Sequence, residues 1–402
     1  MPCAVACSIS GGVDSAVSCW RLVERGFRVT AVFMRNWTDH LDSSAAACSQ
    51  EQDEHDAAFV ANRCGVDFRM VDFSKEYWSN VFEYVLATYQ AGLTPNPDVL
   101  CNQFIKFDAF YRYAKNILGC DAIATGHYAR NSFGDYLEYS LPGTAAQLMR
   151  PVDKFKDQTL FLSRIPQETL QRTMFPVSSL TKSEVHQIAY DLGLDSISRK
   201  RSSRGICFIG RQHFGSFIDR YLDPKPGLFV DYDSGAVVGE HSGIHHFTIG
   251  QRALIGGLPT AYFVLKLEPK SQTAFVVSGP DHAALYSDSF VCQDEYWISG
   301  EPPEELLKST NDNQILNCDF KFQHTMPLLP AKVSRTQDNG LAVKLQQPRR
   351  ALAPGQFAVF YTDDVCLGSA VIHQVGPSFM ELNRNLKVIS KSHGQECVLA
   401  VD

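Results

Sequence analysis

Apolar positions in the first half of the chain alternate between short runs and longer stretches with helical spacing. The runs predict buried strands at 4–9, 28–34, 68–71 and 122–124. The stretches between them predict helices at 14–25, 50–64, 75–90 and 104–118. This alternation is typical of a parallel sheet wrapped by helices, an α/β fold that binds ligands where the carboxyl ends of strands turn into helices.

The second half of the chain has a different pattern. After a helical stretch at 183–192, strand-like pieces appear at 228–231, 237–239, 274–277 and 357–361, separated by Gly, Pro, Asp and Asn. A chain of 402 residues exceeds one ordinary domain. We therefore predict a nucleotide-binding α/β domain at 1–210, a small β-rich domain at 211–283 and a C-terminal β-barrel at 284–402.

Composition narrows the class of protein. The hydrophobic share of 45% and the charged share of 20% are typical of soluble proteins, and no apolar run approaches the length that spans a bilayer. A net charge of -7 argues against a protein that coats nucleic acid nonspecifically. One basic run, from Arg199 to Arg204, is either a local nucleic-acid face or a solvated loop, and composition leaves both open.

Twelve cysteines are present, and no secretory signal peptide precedes them, so a reducing compartment is expected. No Cys-x-x-Cys pair occurs, which argues against a zinc knuckle, and we expect no protein-bound metal. Most of the thiols are therefore expected to be free. Four of them fit apolar patterns and are interpreted as small core residues: Cys7, Cys19, Cys64 and Cys120.

A glycine-containing string follows the first predicted strand and precedes a helix. It reads Ser10-Gly11-Gly12-Val13-Asp14-Ser15. Glycines allow close backbone approach, and the amides of such a loop can face an anion. The string lacks the Lys of the ordinary P-loop, which excludes a standard kinase or GTPase. It resembles the pyrophosphate-binding loop of the N-type ATP pyrophosphatases, and this resemblance implies cleavage of ATP to AMP and pyrophosphate.

Two further segments carry candidate reacting thiols. Cys101 follows two prolines and lies three residues after Asp98, just ahead of a helical stretch, so we expect a thiol acidified at a helix start and a carboxyl able to act as acid or base. Cys207 lies between two glycines, directly after the basic run, where nearby cations favour a thiolate.

Over essentially its whole length the chain resembles the tRNA-specific 2-thiouridylases. The matching strings are 10–15, 33–37, 76–78, 94–102, 124–128, 155–159, 205–210, 248–252 and 354–356. Several such strings in the same order are hard to obtain by chance.

The resemblance assigns roles to individual residues. Cys101, Cys207 and Asp98 are implied to be catalytic. ATP binding is implied for Ser8, Ile9, Ser10, Gly11, Gly12, Val13, Asp14, Ser15, Met34 and Gly126. Contact with tRNA is implied for Asn96, Pro97, Asp98, His127, Lys156, Asp157, Gln158, Gln323, His324 and Gln356. Gln323 stands where bacterial relatives have Arg, which puts a phosphate contact there in doubt.

The chemistry that the resemblance implies is 2-thiolation of the wobble uridine in tRNAs for lysine, glutamate and glutamine. ATP with Mg²⁺ adenylates the uracil oxygen, Cys207 carries a persulfide sulfur, and Cys101 frees that sulfur or closes a disulfide with Cys207. The implied partners are tRNA and a sulfur-donor protein, either a cysteine desulfurase or a sulfurtransferase relay. The resemblance further implies a monomer of the mitochondrial branch, although no Arg-rich presequence is visible and a cytoplasmic location is the alternative.

Two other functions compete with this interpretation. An ATP-dependent amide ligase on the same nucleotide fold would handle ammonia and would need neither Cys101 nor Cys207. A noncatalytic tRNA-binding or sulfur-carrier protein would keep the β-barrel and one thiol but not an intact ATP loop. The coexistence of the loop with both thiols favours the thiolating enzyme.

Overall fold

The computed structural model describes residues 3–37, 46–200, 214–307, 315–382, 385–392 and 395–401. Cys207 and the residues from Arg201 to Arg204 lie outside the described residues. The α-helices are α1 Val13–Glu24, α2 Ala46–Cys64, α3 Ser74–Tyr77, α4 Glu83–Gln90, α5 Pro97–Cys101, α6 Phe110–Asn116, α7 Gln167–Leu170, α8 Lys182–Asp191, α9 Asp195–Ser198, α10 Phe214–Ile218 and α11 Glu304–Leu307.

The strands belong to four sheets. They are β1 Ala4–Ser8, β2 Arg28–Arg35, β3 Asp67–Asp72, β4 Ala122–Ala124, β5 Arg130–Asn131, β6 Leu148–Met149, β7 Thr173–Met174, β8 Gly227–Asp231, β9 Val237–His241, β10 Tyr262–Glu268, β11 Thr273–Ser278, β12 Tyr286–Trp297, β13 Leu316–Lys321, β14 Leu329–Arg335, β15 Leu341–Arg350, β16 Phe357–Thr362, β17 Val365–Val375, β18 Asn385–Ser392 and β19 Gln395–Val401.

The first sheet has the order β3-β2-β1-β4-β7, and every pairing in it is parallel. Its central strand β1 carries Val5, Ala6 and Cys7, which are fully buried because helices cover both faces of the sheet. The predicted parallel α/β fold is confirmed. The strand order reverses between β1 and β4, and the crevice at such a reversal is where open α/β sheets bind ligands.

Two long helical runs line this sheet, and each contains a π-helical turn. The first run joins α3 to α4 through Trp78–Phe82, and the second joins α5 to α6 through Asn102–Ala109. The second run begins at Pro97, earlier than the predicted 104, because proline fits the first position of a helix. The expectation that Cys101 lies at a helix start is therefore wrong, since it is the fifth residue of the run.

The β-rich half forms a small β-rich domain and a β-barrel, as predicted. The smaller one is a four-stranded sheet with the order β10-β11-β8-β9. The larger one is a closed six-stranded barrel, in which β12-β15-β14-β13-β16-β17 follow one another and β12 also pairs with β17. Among the described residues, no helix is long and apolar enough to cross a membrane.

The first domain also contributes to the sheet of the barrel. The two-residue strands β5 and β6 pair with each other, and β6 pairs with β17 through Met149–Val365 and Leu148–Cys366. The two domains therefore share one hydrogen-bonded sheet, which fixes the barrel next to the loops of the first domain.

Candidate active site

The loop from Ser10 to Ser15 turns from β1 into α1 and is braced by its own side chains. The Ser10 amide donates to the Ser15 hydroxyl at 3.1 Å, and that hydroxyl donates to the Gly12 carbonyl at 2.9 Å. Within the described part of the chain, the amides of Gly11, Gly12 and Val13 donate no hydrogen bond. Free amides at a helix N-terminus form an anion site, and this arrangement fits the phosphates of ATP.

Two close backbone contacts explain glycines at this site. Gly126, just after β4, lies so near α1 that a Cβ there would be 2.7 Å from the Ser15 nitrogen. Gly11 has a φ of +71°, and a Cβ on it would be 2.4 Å from the Asp53 carbonyl oxygen of α2. Any larger side chain would push neighbouring backbone away, so both glycines set the shape of the loop.

Asp14, in the first turn of α1, contacts two side chains from outside the loop. The Lys182 ammonium lies 2.6 and 2.8 Å from its two carboxylate oxygens. The Tyr128 hydroxyl donates to the same carboxylate at 2.9 Å. Lys182 begins α8, where Thr181 and Glu184 form a capping box that fixes the start of the helix. A cation is thus held at the edge of the phosphate loop.

Lys200 brings a second cation to the loop. Its ammonium lies 2.9 Å from Asp53 and 3.4 Å from the Gly11 carbonyl, and it also pairs with Asp56. Partial burial opposes the charge, but the hydrogen bonds to the two carboxylates outweigh it and raise the pKa of Lys200. Lys200 is therefore charged at neutral pH, and the ammonium groups of Lys182 and Lys200 both lie where they can meet phosphate oxygens.

Tyr128 joins the phosphate loop to a second segment, 154–158. Its hydroxyl donates to Asp14, while its backbone N–H donates to the Gln158 side chain at 2.8 Å and its carbonyl accepts from the Gln158 N–H at 3.0 Å.

The neighbouring His127 ring contacts the Thr125 hydroxyl at 2.9 Å. Burial, reinforced by Lys106, holds the pKa of His127 well below its usual value, so this ring is neutral at pH 7.

Asp98 lies in the first turn of the second helical run, and Cys101 lies one helical turn after it. Pro97 occupies the first turn together with Asp98, and Cys101 is only 6% exposed. Burial raises the pKa of Asp98, and Lys106 opposes this only partly. The π-helical turn begins directly after Cys101, and π turns inside helices are frequent at functional sites. A carboxyl that holds a proton more tightly than usual suits general acid–base chemistry.

Residues of the barrel form hydrogen bonds with the segment that precedes α5. The Thr94 amide donates to the Pro354 carbonyl at 2.9 Å, and the Gln356 amide nitrogen donates to the Thr94 and Pro95 carbonyls at 3.3 and 3.4 Å. Gly355 packs so tightly that a Cβ would be 2.8 Å from the Thr94 oxygen. In this structure the Gln356 side chain positions the 94–96 backbone.

The residues of the string Lys156-Asp157-Gln158 differ in their exposure to solvent. Asp157 is 1% exposed, and its carboxylate contacts Arg150 at 2.8 Å, Lys321 at 3.5 Å and the Thr159 hydroxyl at 2.6 Å. These contacts join the first domain to the barrel and leave this carboxylate enclosed. Lys156 is half-buried, and the preceding Phe155 is 95% exposed.

The remaining candidates are distributed over two places. Ser8 ends β1, Ile9 is buried directly after it, and Met34 is near the carboxyl end of β2, so all three lie on the nucleotide side of the sheet. In the barrel, Gln323 is exposed, whereas the His324 ring lies 5.1 Å from that of Phe161 and burial lowers the pKa of His324.

Sequence reasoning missed three side chains of this site: Lys106, Tyr128 as a link, and Lys182. It included Lys200 in the basic run from Arg199 to Arg204 but did not predict its contact with the phosphate loop. Asp14 and Lys182 are separated by 168 positions, so no local pattern connects them. The capping box before Lys182 was a local signal for a helix start, but not for a contact with the phosphate loop.

Three family models match the chain in succession. They are the tRNA methyl transferase HUP domain at 3–211, the tRNA methyl transferase PRC-barrel domain at 215–278 and the aminomethyltransferase beta-barrel domain at 287–372. The first alone covers more than half of the chain. A solved 4-thiouridine synthetase–RNA complex with bound ATP is 18% identical over 52% of this chain and 46% of its own, with a TM-score of 0.29, a likeness too low to support an argument.

Curated relatives match at far higher identity. The mitochondrial tRNA-specific 2-thiouridylase 1 of Drosophila melanogaster is 47% identical over 93% of this chain and 94% of its own length. Its counterpart from Homo sapiens is 42% identical over 94% and 92%. The tRNA-specific 2-thiouridylase MnmA of Mycoplasma capricolum is 39% identical over 92% and 98%. With this identity along nearly its whole length, the chain belongs to the tRNA-specific 2-thiouridylase family.

Proposed function

We propose that this chain is a tRNA-uridine 2-sulfurtransferase that uses ATP to convert the wobble uridine of tRNAs for lysine, glutamate and glutamine into 2-thiouridine. The observation that carries the proposal is the double contact of Tyr128. Its hydroxyl bonds Asp14 of the phosphate loop, and its backbone pairs with Gln158 of the segment that adjoins the barrel. The nucleotide loop is thereby coupled to the segment that adjoins the barrel, where we propose that tRNA binds.

The first half-reaction activates the base. The uracil oxygen at carbon 2 attacks the α-phosphorus of ATP, the bond to pyrophosphate breaks, and an adenylated uridine forms. The bare amides of the loop, together with Lys182 and Lys200, would bind the phosphates and stabilise the departing pyrophosphate. Asp14 is the carboxylate of the loop itself and would hold the Mg²⁺ of the nucleotide.

The second half-reaction transfers sulfur. A persulfide on Cys207 supplies the terminal sulfur, which bonds to carbon 2 while AMP leaves with the former uracil oxygen. The Cys101 thiolate attacks Sγ of Cys207, either before transfer to release the sulfur as sulfide or after it to break the remaining S–S bond. Both orders end in a Cys101–Cys207 disulfide, and an external thiol must supply two electrons before the next turnover. Asp98 would supply or accept the proton.

The proposed partners and location follow the family. We assign tRNA as substrate, a cysteine desulfurase or a sulfurtransferase relay as sulfur donor, and a monomeric state. The relatives from Drosophila melanogaster and Homo sapiens are named mitochondrial, and on that basis we place this chain in the mitochondrion.

A reconstituted reaction tests the function. The full chain is incubated with unmodified tRNA, ATP, Mg²⁺ and a persulfide source, and the tRNA is digested and analysed for 2-thiouridine by mass spectrometry. We expect 2-thiouridine together with equal amounts of AMP and pyrophosphate, loss of product in Cys101→Ala and Cys207→Ala, and wild-type yield in Cys318→Ala, a control thiol in the barrel. Product formation by Cys207→Ala would contradict the mechanism, and ATP cleavage coupled only to ammonia transfer would indicate the amide ligase.

A further inference from the structure

A cluster of one carboxylate and two imidazoles lies in the small β-rich domain, outside the candidate active site. His245 Nε2 is 2.7 Å and His246 Nε2 is 2.6 Å from the same oxygen, Oδ1 of Asp219. The three candidate ligand atoms lie within 4.8 Å of one another. Three ligating groups that converge on one point are the minimum set for a bound transition metal.

Local backbone features seat both imidazoles. His245 and His246 belong to the short 3-10 helix Ile244–His246, and Asp219 directly follows α10. A Cβ on Gly243 would be 2.5 Å from the His245 ring, and one on Gly215 would be 3.3 Å from the His246 ring. Each ring therefore lies directly against glycine backbone, which restricts its position before any ligand arrives.

The surroundings supply an outer contact and an entry path. Nδ1 of His246 lies 3.2 Å from the Ser242 hydroxyl oxygen, which can accept a hydrogen bond from Nδ1–H when Nε2 binds a metal. His245 is nearly buried, whereas the side chains of His246 and Asp219 are 19% and 32% exposed.

We propose that Asp219, His245 and His246 bind a divalent transition-metal ion of the zinc class. Nitrogen and carboxylate ligands bind Zn²⁺ at about 2.0–2.2 Å, which places ligand atoms of a tetrahedral site about 3.3 Å apart. The present hydrogen-bond distances need to lengthen by less than about 1 Å, a change that side-chain rotation provides. Water would occupy the fourth position on the exposed side. When the ion binds, the proton of each neutral imidazole lies on Nδ1 rather than Nε2, so that Nε2 offers its lone pair, and no redox change is involved.

Such an ion would fasten two parts of the chain. Asp219 ends the segment that begins with α10, and Phe217 of α10 packs edge to face against Trp37 and Phe82 of the first domain. The histidines belong to the small domain. A metal would therefore join the α10 segment to the 3-10 helix, and its contribution is structural.

The same region offers a matched control. His282 contacts Asp233 at 3.0 Å, and within the described ranges no second imidazole joins this histidine–carboxylate pair. A pair of this kind provides two ligands and should bind metal far more weakly than three.

Metal titration tests the proposal. The full chain is freed of metal with a chelator, kept reduced, and titrated with Zn²⁺ and with Co²⁺ for wild type, Asp219→Asn, His246→Ala and His282→Ala. We expect wild type and His282→Ala to bind one Co²⁺ with visible d–d absorption and no sulfur-to-cobalt charge-transfer band, which separates this site from cysteine sites. Removal of a ligand should weaken binding about 100-fold or more, since outer-shell changes alone cost about 10–100-fold.

Thermal unfolding provides the second measurement. Zn²⁺ should raise the Tm of wild type and His282→Ala but not that of the two site variants, because only the folded site binds the ion. Asp219→Asn preserves the side-chain shape, and if it fails to fold, His246→Ala carries the test. Equal metal affinity in all four proteins, or no nitrogen- and oxygen-ligated Co²⁺ in wild type, would overturn the proposal. Neither outcome bears on thiolation, which is measured separately.

Discussion

Asp98 and Asp157 are both largely enclosed carboxylates, yet their surroundings shift them in opposite directions. At Asp98 burial dominates, the pKa rises, and Lys106 is the cation that opposes the shift. At Asp157 burial is outweighed by Lys321, Thr159 and Arg150, and the pKa falls. One carboxyl therefore holds its proton more tightly than usual, and the other is a fixed negative charge.

The opposite pKa shifts indicate that Asp98 is suited to proton transfer, whereas Asp157 is suited to stabilising the fold. A buried charge whose hydrogen-bonding capacity is filled has little left to offer a substrate, whereas a poorly compensated carboxyl can exchange a proton. Two aspartates in family-matching strings can thus have different roles. The comparison yields four predictions, in order of decreasing effect.

Replacement of Asp98 by Asn should lower the thiolation rate about 10²–10⁴-fold, the usual contribution of a general acid or base. Stability should not fall. Because the folded pKa is raised, stability due to Asp98 is present at low pH and is lost as pH rises through that pKa, so the variant should equal or exceed wild type at neutral pH. Rates and denaturant unfolding from pH 4 to 8 measure both effects. Asp108→Asn, an exposed residue of the same helical run, is the control.

Replacement of Asp157 by Asn should have the opposite signature. We expect a loss of about 3–5 kcal/mol in the free energy of unfolding, because Lys321 and Arg150 lose their buried partner. Since the folded pKa is lowered, this stability is present above the unfolded pKa and is lost as pH falls through the folded pKa, below 3.8. Urea unfolding at pH 3 and 7 checks the trend, with the exposed Glu168→Gln as control. A stable variant that binds tRNA poorly would reverse the assignment.

Asp14 is a third carboxylate to compare with Asp98 and Asp157. It is partly exposed and forms an ion pair with Lys182. Lys182→Met should raise the KM for ATP about 10–100-fold, since a charge-assisted phosphate contact contributes about 1.5–3 kcal/mol. Stability should change by less than about 1 kcal/mol, as is usual for partly exposed ion pairs. Pyrophosphate release at varied ATP concentration measures the effect, and Lys115→Met should leave it unchanged. An unaltered KM would exclude Lys182 from nucleotide binding.

Phe155 lies two residues before Asp157 and is 95% exposed, so the same string presents a ring to solvent. Stacking of a base on an aromatic ring contributes about 1–3 kcal/mol, and an open ring should fall near the lower value. Phe155→Ala should weaken tRNA binding about fivefold without loss of stability. Filter binding with tRNA measures it, and Tyr139→Ala, at an aromatic residue 72% exposed, should bind as wild type does. Equal affinity of both variants would remove Phe155 from the interface.

The local pattern of apolar residues was sufficient to predict the parallel sheet and the phosphate loop. The reason is that β1, the loop and α1 are consecutive, and the strand and the helix each show their own periodicity. The pattern could not predict β5, β6 or β7, since two residues show no period. Nor could it predict Lys182 beside Asp14, which depends on tertiary packing. The position of Cys101 within its helix was misjudged because Pro97 starts the helix seven residues before the apolar spacing becomes visible.

The shared sheet of the first domain and the barrel has a consequence for synthesis on the ribosome. When residue 210 has been added, every strand of the parallel sheet exists, but β6 still lacks β17, Asp157 lacks Lys321 and Thr94 lacks Pro354. The nascent first domain can therefore collapse around its parallel sheet, but the separate β5–β6 pair keeps an open edge on β6. A message truncated before Lys321 would release a chain whose β6 edge is unpaired and whose Asp157 keeps Arg150 but lacks Lys321. Such a chain is marked for aggregation or degradation rather than partial activity.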